Sequence, residues 1–234
     1  MKRKLINSLL ILVAFLGIAL LAERPIRNWL MQHMTANYRL AQVSQADIAR
    51  NSESDGNFDF DLIQPPTFRN AVMNQLNREQ MPVIGGVAIP SIGINLPMFR
   101  GFGPNGLALY YGAGTMKTDQ RLGEGNFALA SHNVLGQADA LFTPLERATV
   151  GMMIYVTEKQ DIYEYKIREI QKVAPHEGHV IRDIEGKQLI TLVTCFDGDR
   201  QRIIVRGEFI QKRAFTEATP RLLEAFALPY NEMQ

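Results

Sequence analysis

The chain has 234 residues, 46% of them hydrophobic, enough for one catalytic-sized domain with a proper core plus appendages. Its 25 basic and 24 acidic residues nearly cancel, so no broad electrostatic field selects nucleic acid or an acidic polymer as partner. A single cysteine excludes an intramolecular disulfide, and with it the paired-cysteine spacings of zinc sites and thioredoxin-like redox sites.

At the N-terminus, MKRK (1–4) precedes LINSLLILVAFLGIALLA (5–22), eighteen residues without a charge. As a helix this run spans roughly 27 Å, close to the ~30 Å hydrocarbon core of a bilayer, and reads as a single transmembrane anchor. Lys2, Arg3 and Lys4 keep residues 1–4 as a cytoplasmic tail and send the rest of the chain outside. A cleaved signal peptide is the alternative. The run is longer than the usual apolar core of such a peptide, however, and Leu20 stands where cleavage after Ala22 prefers a small residue.

Residues 23–57, rich in Gln, Asn, Ser and Ala, read as an extracellular stalk with helix near 29–48. The stretch 58–80 breaks at Pro65 and Pro66 and then reads helical. The catalytic-sized domain is taken as 58–216, followed by a C-terminal segment, 217–234, too short and polar to cross a membrane. Beyond Met81 the texture changes. PVIGGVAIPSIGINLPMFRG (82–101) alternates β-rich runs with Gly and Pro, and similar runs recur at 126–132, 152–157, 162–173, 188–195 and 202–210, with one short helix or helical turn at 139–149. Six or more short strands with little regular helix predict an all-β, closed or nearly closed barrel.

TLVTC (191–195) runs into the single cysteine, and FDGDRQ (196–201) reads as a hairpin loop before a strand that starts at Arg202. A symmetric register sets Arg202 across from Cys195, where a guanidinium can stabilise a thiolate and donate to an oxyanion. His132, in ALASHN at another strand's end, can exchange protons with a thiol or a leaving amine near neutral pH. These are the parts for acyl transfer through a thioester. Each also has a plainer reading: a free Cys in an apolar strand is commonly packing, one His among four carries little information, and Arg200, Arg202 and Arg206 share strand parity and could form a solvated face.

TLVTC followed by RIIVRGEF resembles the active-site signature of the class A sortases, in which a Thr-Leu-x-Thr-Cys strand precedes an arginine-bearing strand. IPSIGINLPMFRG (89–101), GAGTMKTDQRLGEGNFALASHNV (112–134) and LFTPLERATVGMMIYVT (141–157) match in the same order, so the resemblance covers most of residues 82–210. It implies an eight-stranded sortase-type β-barrel with short helices, behind a transmembrane helix and stalk. The implied protein is a membrane-anchored cysteine transpeptidase of a Gram-positive-type cell envelope, needing no cofactor. By the resemblance, Cys195 attacks the Thr–Gly carbonyl of an LPXTG-type sorting signal, His132 is general acid and base, and Arg202 holds substrate and oxyanion. A peptidoglycan-precursor amine then resolves the acyl-enzyme. Thr194 contributes backbone near the oxyanion, and Ala130 and Val193 match positions of the apolar pocket for the Leu-Pro part.

Some class A members use calcium, but Glu177, Asp183 and Glu185 match no strong calcium loop, and HEGH (176–179) lacks the H-E-x-x-H spacing of a zinc helix, so no required metal is expected. Two rival readings stand beside this one. A pilin-polymerising class C sortase shares the catalytic trio, but typically adds a second span and an aspartate-proline-aromatic lid, neither of which is found in this sequence. A non-catalytic, membrane-anchored binding module would make Cys195 structural.

Overall fold

Wherever β-branched and aromatic residues run between Gly and Pro turns, the chain forms a strand. The structure, a computed structural model, describes residues 2–35, 38–64, 81–134 and 136–227. Its eight strands are β1 (Val83–Ile89), β2 (Ile94–Phe99), β3 (Ala113–Thr115), β4 (Asn126–Ala130), β5 (Met153–Thr157), β6 (Asp161–Val173), β7 (Leu189–Phe196) and β8 (Gln201–Ala214). They close in the order β1-β2-β3-β4-β7-β8-β6-β5, so the expected eight-stranded barrel is the fold observed. Two of the pairings, β2 with β3 and β4 with β7, are parallel.

Strands β1, β2, β4 and most of β7 are buried on both faces. Val87, Leu96, Leu129, Leu192, Val205 and Tyr165 fill the interior. Ala128, Ala130, Val193 and Ile204 face outward into a second cluster, covered by Phe102, Leu109 and Val180. Backbone approach is closest at Gly85, where φ is +150° and an added Cβ would lie 2.2 Å from the Thr157 carbonyl oxygen; only glycine fits this β1 irregularity.

Two features differ from the sequence-based expectation. Strand β3, three residues long, and the one-turn helix before it, Ala108–Tyr111, were not anticipated, because both are too short to show a period. The short helix or helical turn expected at 139–149 is present as the 3₁₀ turn Thr143–Arg147. The stretch read as stalk does not hang free at its end. Leu40 and Ile48 are buried with Leu222 and Phe226 of the C-terminal helix Pro220–Ala227 over Ala88 and Ile162, and the Asn51 side-chain amide donates to the Val83 carbonyl at 2.9 Å. Between them, Ser44 caps the helix Gln45–Ser52 by accepting from the Asp47 N–H.

The N-terminal helix, Lys2–Thr35, exposes Leu9, Leu12, Phe15 and Leu21 along its apolar run. Among the described residues no helix is long and apolar enough to cross a membrane. The Leu5 side chain, first of the expected 5–22 span, lies outside the described set. So does the helix expected after Pro66, together with residues 228–234.

Candidate active site

The site lies at one end of the barrel, where parallel β4 and β7 terminate and β8 begins. The β4–β7 pairing sets Ala130 beside Val193 and continues one residue further, with the Ser131 N–H donating to the Val193 carbonyl at 3.2 Å. The Thr194 hydroxyl then donates to the Ser131 carbonyl at 2.9 Å, and the Ser131 hydroxyl to the Gly112 carbonyl at 2.6 Å. His132 therefore leaves β4 from a fixed point, and its own carbonyl accepts from the Phe142 N–H at 3.1 Å. Across β7, Cys195 pairs in register with Arg202 of β8, as the symmetric hairpin predicts.

His132, Cys195 and Arg202 line one groove of about 1130 Å³ with Ala130, Val193 and Thr194. Ala130 and Val193 belong to its apolar wall, with Leu109, Met116, Val180 and Ile204. The Thr194 side chain is buried and spent on the Ser131 carbonyl. Arg200 and Arg206, which shared parity with Arg202, go elsewhere: Arg200 stands exposed beside Asp197, and Arg206 reaches Glu169 and the Val180 carbonyl.

His132 is 6% exposed, packed edge-on to the Tyr110 ring at 4.9 Å. Its Nε2 is buried without a hydrogen-bond partner, while the ring bonds to the Gln64 backbone. Burial lowers the imidazole pKa to about 4, partly opposed by the Asp199 carboxylate and by the Gln64 contact. The Cys195 thiol is pushed up to about 12 by burial and by its hydrogen bond to Asp199, with the Arg202 charge pulling the other way. At neutral pH both groups therefore rest uncharged.

Five further residues shape the groove that the sequence reading did not single out. Asp197, Gly198 and Asp199 are consecutive residues with positive φ, so the hairpin loop turns sharply enough to bring the Asp199 carboxyl back to the thiol. Arg202 Nη1 donates to the Asp199 and Gln201 carbonyls at 3.0 and 3.1 Å, which holds its guanidinium beside the turn. The Asn133 side-chain nitrogen donates to the Cys195 carbonyl at 3.0 Å and to Glu146 Oε1 at 2.6 Å. Gln64 reaches the groove from before β1, and its carbonyl also accepts from the Tyr110 hydroxyl at 3.2 Å. Asn133 was legible as the neighbour of His132; Gln64 had no sequence signal.

A half-buried thiol, an imidazole with one open nitrogen and a guanidinium in one groove can perform nucleophilic attack, proton transfer and oxyanion stabilisation. No group of His, Cys, Asp and Glu suited to a metal ion occurs among the described residues.

A family model described as Sortase domain matches residues 87–210. Sortase A of Streptococcus agalactiae is 41% identical over 230 residues, covering 96% of this chain and 92% of that protein. Sortase A of Listeria monocytogenes is 32% identical over 189 residues, 81% of this chain and 83% of that one. The solved structure of the Listeria monocytogenes enzyme superposes with a TM-score of 0.56 at 33% identity, covering 62% of this chain and 97% of that chain. Sortase C-1 from Actinomyces oris gives 0.53 at 25% identity, covering 76% and 99%.

Proposed function

Since the chain belongs to the sortase family of cysteine transpeptidases, we propose that it cleaves an LPXTG-type sorting signal between Thr and Gly and transfers the surface protein to an amine of a peptidoglycan precursor. The observation that carries this reading is the convergence of Cys195, His132 and Arg202 on one groove with an apolar wall.

The Leu-Pro part of the signal packs on Ala130 and Val193. The scissile carbonyl then lies over the Cys195 sulfur. Substrate binding displaces water and brings the thiol proton within reach of His132 Nε2, the ring nitrogen without a partner. Sulfur attacks the carbonyl carbon while that proton passes to the imidazole. Arg202 faces the developing oxyanion from the opposing strand. Collapse of the tetrahedral adduct breaks the Thr–Gly bond, and the imidazolium protonates the departing amine. An incoming amine repeats these steps in reverse and releases the thiol. Because the resting pair is neutral, the thiolate–imidazolium form is a minor population, and Arg202 is the groove's charge that favours the thiolate.

Residues 5–22 anchor the chain once in the membrane, with 1–4 cytoplasmic and the barrel outside, where exported substrates and lipid-linked precursors share one surface. The exposed apolar run of the N-terminal helix supports that reading. Sortase A relatives at 41% and 32% identity support wall anchoring over pilin polymerisation.

The test is turnover of a fluorogenic LPXTG-type peptide by the full chain in detergent, with mass spectrometry of the products. Cys195→Ala abolishes thioester formation. Arg202→Ala lowers turnover by about 10²- to 10³-fold, the usual loss for one oxyanion donor. A native chain that never forms the thioester, or an Arg202→Ala variant as fast as the native chain with Arg200→Ala slow, sinks this assignment.

A further inference from the structure

The second half of the proposed reaction poses a problem that the catalytic trio does not solve. The acceptor is a primary amine, which arrives as an ammonium, and it must dock beside the thioester before it can lose a proton and attack. Such an ion is held by a carboxylate near the sulfur that is not already committed to another partner. Several acidic side chains line the groove. Asp199 is bonded to the Cys195 thiol, Asp197 pairs with Arg200, and Glu177 lies 3.5 Å from His179.

Glu146 differs from these three. It is exposed on the groove wall, at the 3₁₀ turn Thr143–Arg147. Its neighbour Arg147 is turned away, bonded to Asp139, the Ala138 carbonyl and the Ile92 carbonyl. Among the described residues no cation pairs with Glu146. One oxygen accepts from the Asn133 side-chain nitrogen at 2.6 Å, and that same nitrogen donates to the Cys195 carbonyl at 3.0 Å. One amide nitrogen thus separates the carboxylate from the backbone of the nucleophile. Asn133 also follows His132 directly in sequence, so the amide that holds Glu146 leaves the same strand end as the imidazole.

We propose that Glu146 is the docking carboxylate for the protonated acceptor amine, held at a set distance from the thioester by Asn133. This rests on the transpeptidase reading above. The ammonium binds the open face of the carboxylate and passes one proton to the neutral imidazole or to solvent. The amine nitrogen then forms a bond to the thioester carbon, and the tetrahedral adduct expels the Cys195 sulfur. The second nitrogen-borne proton returns to the sulfur through His132. Thioester and ammonium become amide, thiol and one released proton.

The experiment compares two nucleophiles on the full chain in detergent with an LPXTG-type peptide: triglycine, charged at neutral pH, and hydroxylamine, uncharged there. Glu146→Gln keeps an oxygen to accept from Asn133 and removes only the charge. In this variant the ratio of the KM for triglycine to the KM for hydroxylamine rises about fivefold, the size of one partly exposed charge pairing. Glu146→Lys raises it further, and added salt raises the triglycine KM of the native chain more than that of Glu146→Gln. An unchanged ratio, or equal losses with both nucleophiles, overturns the assignment and leaves Glu146 a support for Asn133. A native chain that forms no thioester fails at the earlier step and removes the transpeptidase reading itself.

Discussion

The two ends of the barrel bury ionisable groups by the same means and arrive at different results. At the end where β4 and β7 finish, His132 is buried and Cys195 half-buried, and both are neutral beside Arg202 and Asp199. At the end where β4 and β7 start, a second cavity of about 560 Å³ is lined by Glu158, Tyr163, Arg100 and Lys117. There burial holds the Glu158 carboxyl up at about 7, with one oxygen buried and unbonded. A shifted pKa therefore does not by itself mark chemistry. The groove end adds a thiol, an imidazole and a fixed guanidinium, groups suited to attack, proton transfer and charge stabilisation, whereas the far end holds a carboxyl next to a phenol, neither of which can attack a carbonyl at neutral pH.

The largest effect expected from breaking this contrast is on turnover. His132→Ala lowers cleavage of an LPXTG-type peptide by about 10³-fold, within the span of general acid–base contributions, while Glu158→Gln leaves the rate within about twofold. Comparable losses from both variants would mean that the two ends are coupled.

A smaller effect sharpens the groove side. Asp199 raises the Cys195 pKa through its hydrogen bond and its charge. Asp199→Asn therefore lowers that pKa, and the pH profile for alkylation of Cys195 by iodoacetamide moves to lower pH, with faster labelling at pH 8. A profile that stays in place removes Asp199 from the thiol's environment.

The smallest effect is on stability, where the two ends tilt the pH dependence in opposite directions. Glu158 has a folded pKa near 7 against an ordinary 4.5, so the folded chain holds a proton that the unfolded chain has lost, and stability falls as pH rises through that window. His132 has a folded pKa near 4 against 6.5, so stability falls as pH drops from 6.5 toward 4. Glu158→Gln removes the alkaline side of this balance. Its Tm, relative to the native chain, is higher at pH 8 than at pH 5 by about 2 °C or more, which differential scanning calorimetry resolves. Equal differences at the two pH values contradict the burial of the Glu158 carboxyl.

Much of the strand pattern was legible because period-two alternation and Gly or Pro turns are local. The opposition of Cys195 and Arg202 was legible for the same reason, since a six-residue loop between two β-rich runs leaves few registers. Thr194 illustrates the limit. Its neighbourhood was right, but its hydroxyl is spent on the Ser131 carbonyl, a contact across the β4–β7 pair. Leu40 and Ile48 illustrate another. Their polar surroundings read as stalk, yet those two side chains, one from the 3₁₀ turn Leu40–Gln42 and one from the helix Gln45–Ser52, dock on the barrel with Leu222 and Phe226, because a few apolar groups suffice once a partner surface exists.

The sequence by itself determined the all-β class, the position of the single cysteine at a strand end and the arginine facing it, because each follows from neighbours along the chain. Only the tertiary structure decided that His132 meets them, that Gln64 and Asn133 bond to His132 and Cys195, and that burial leaves thiol and imidazole neutral. Parallel pairing of β4 with β7 joins residues some sixty positions apart, as with Ala130 and Val193, and desolvation depends on everything packed around a group, so neither is written in any local stretch of sequence.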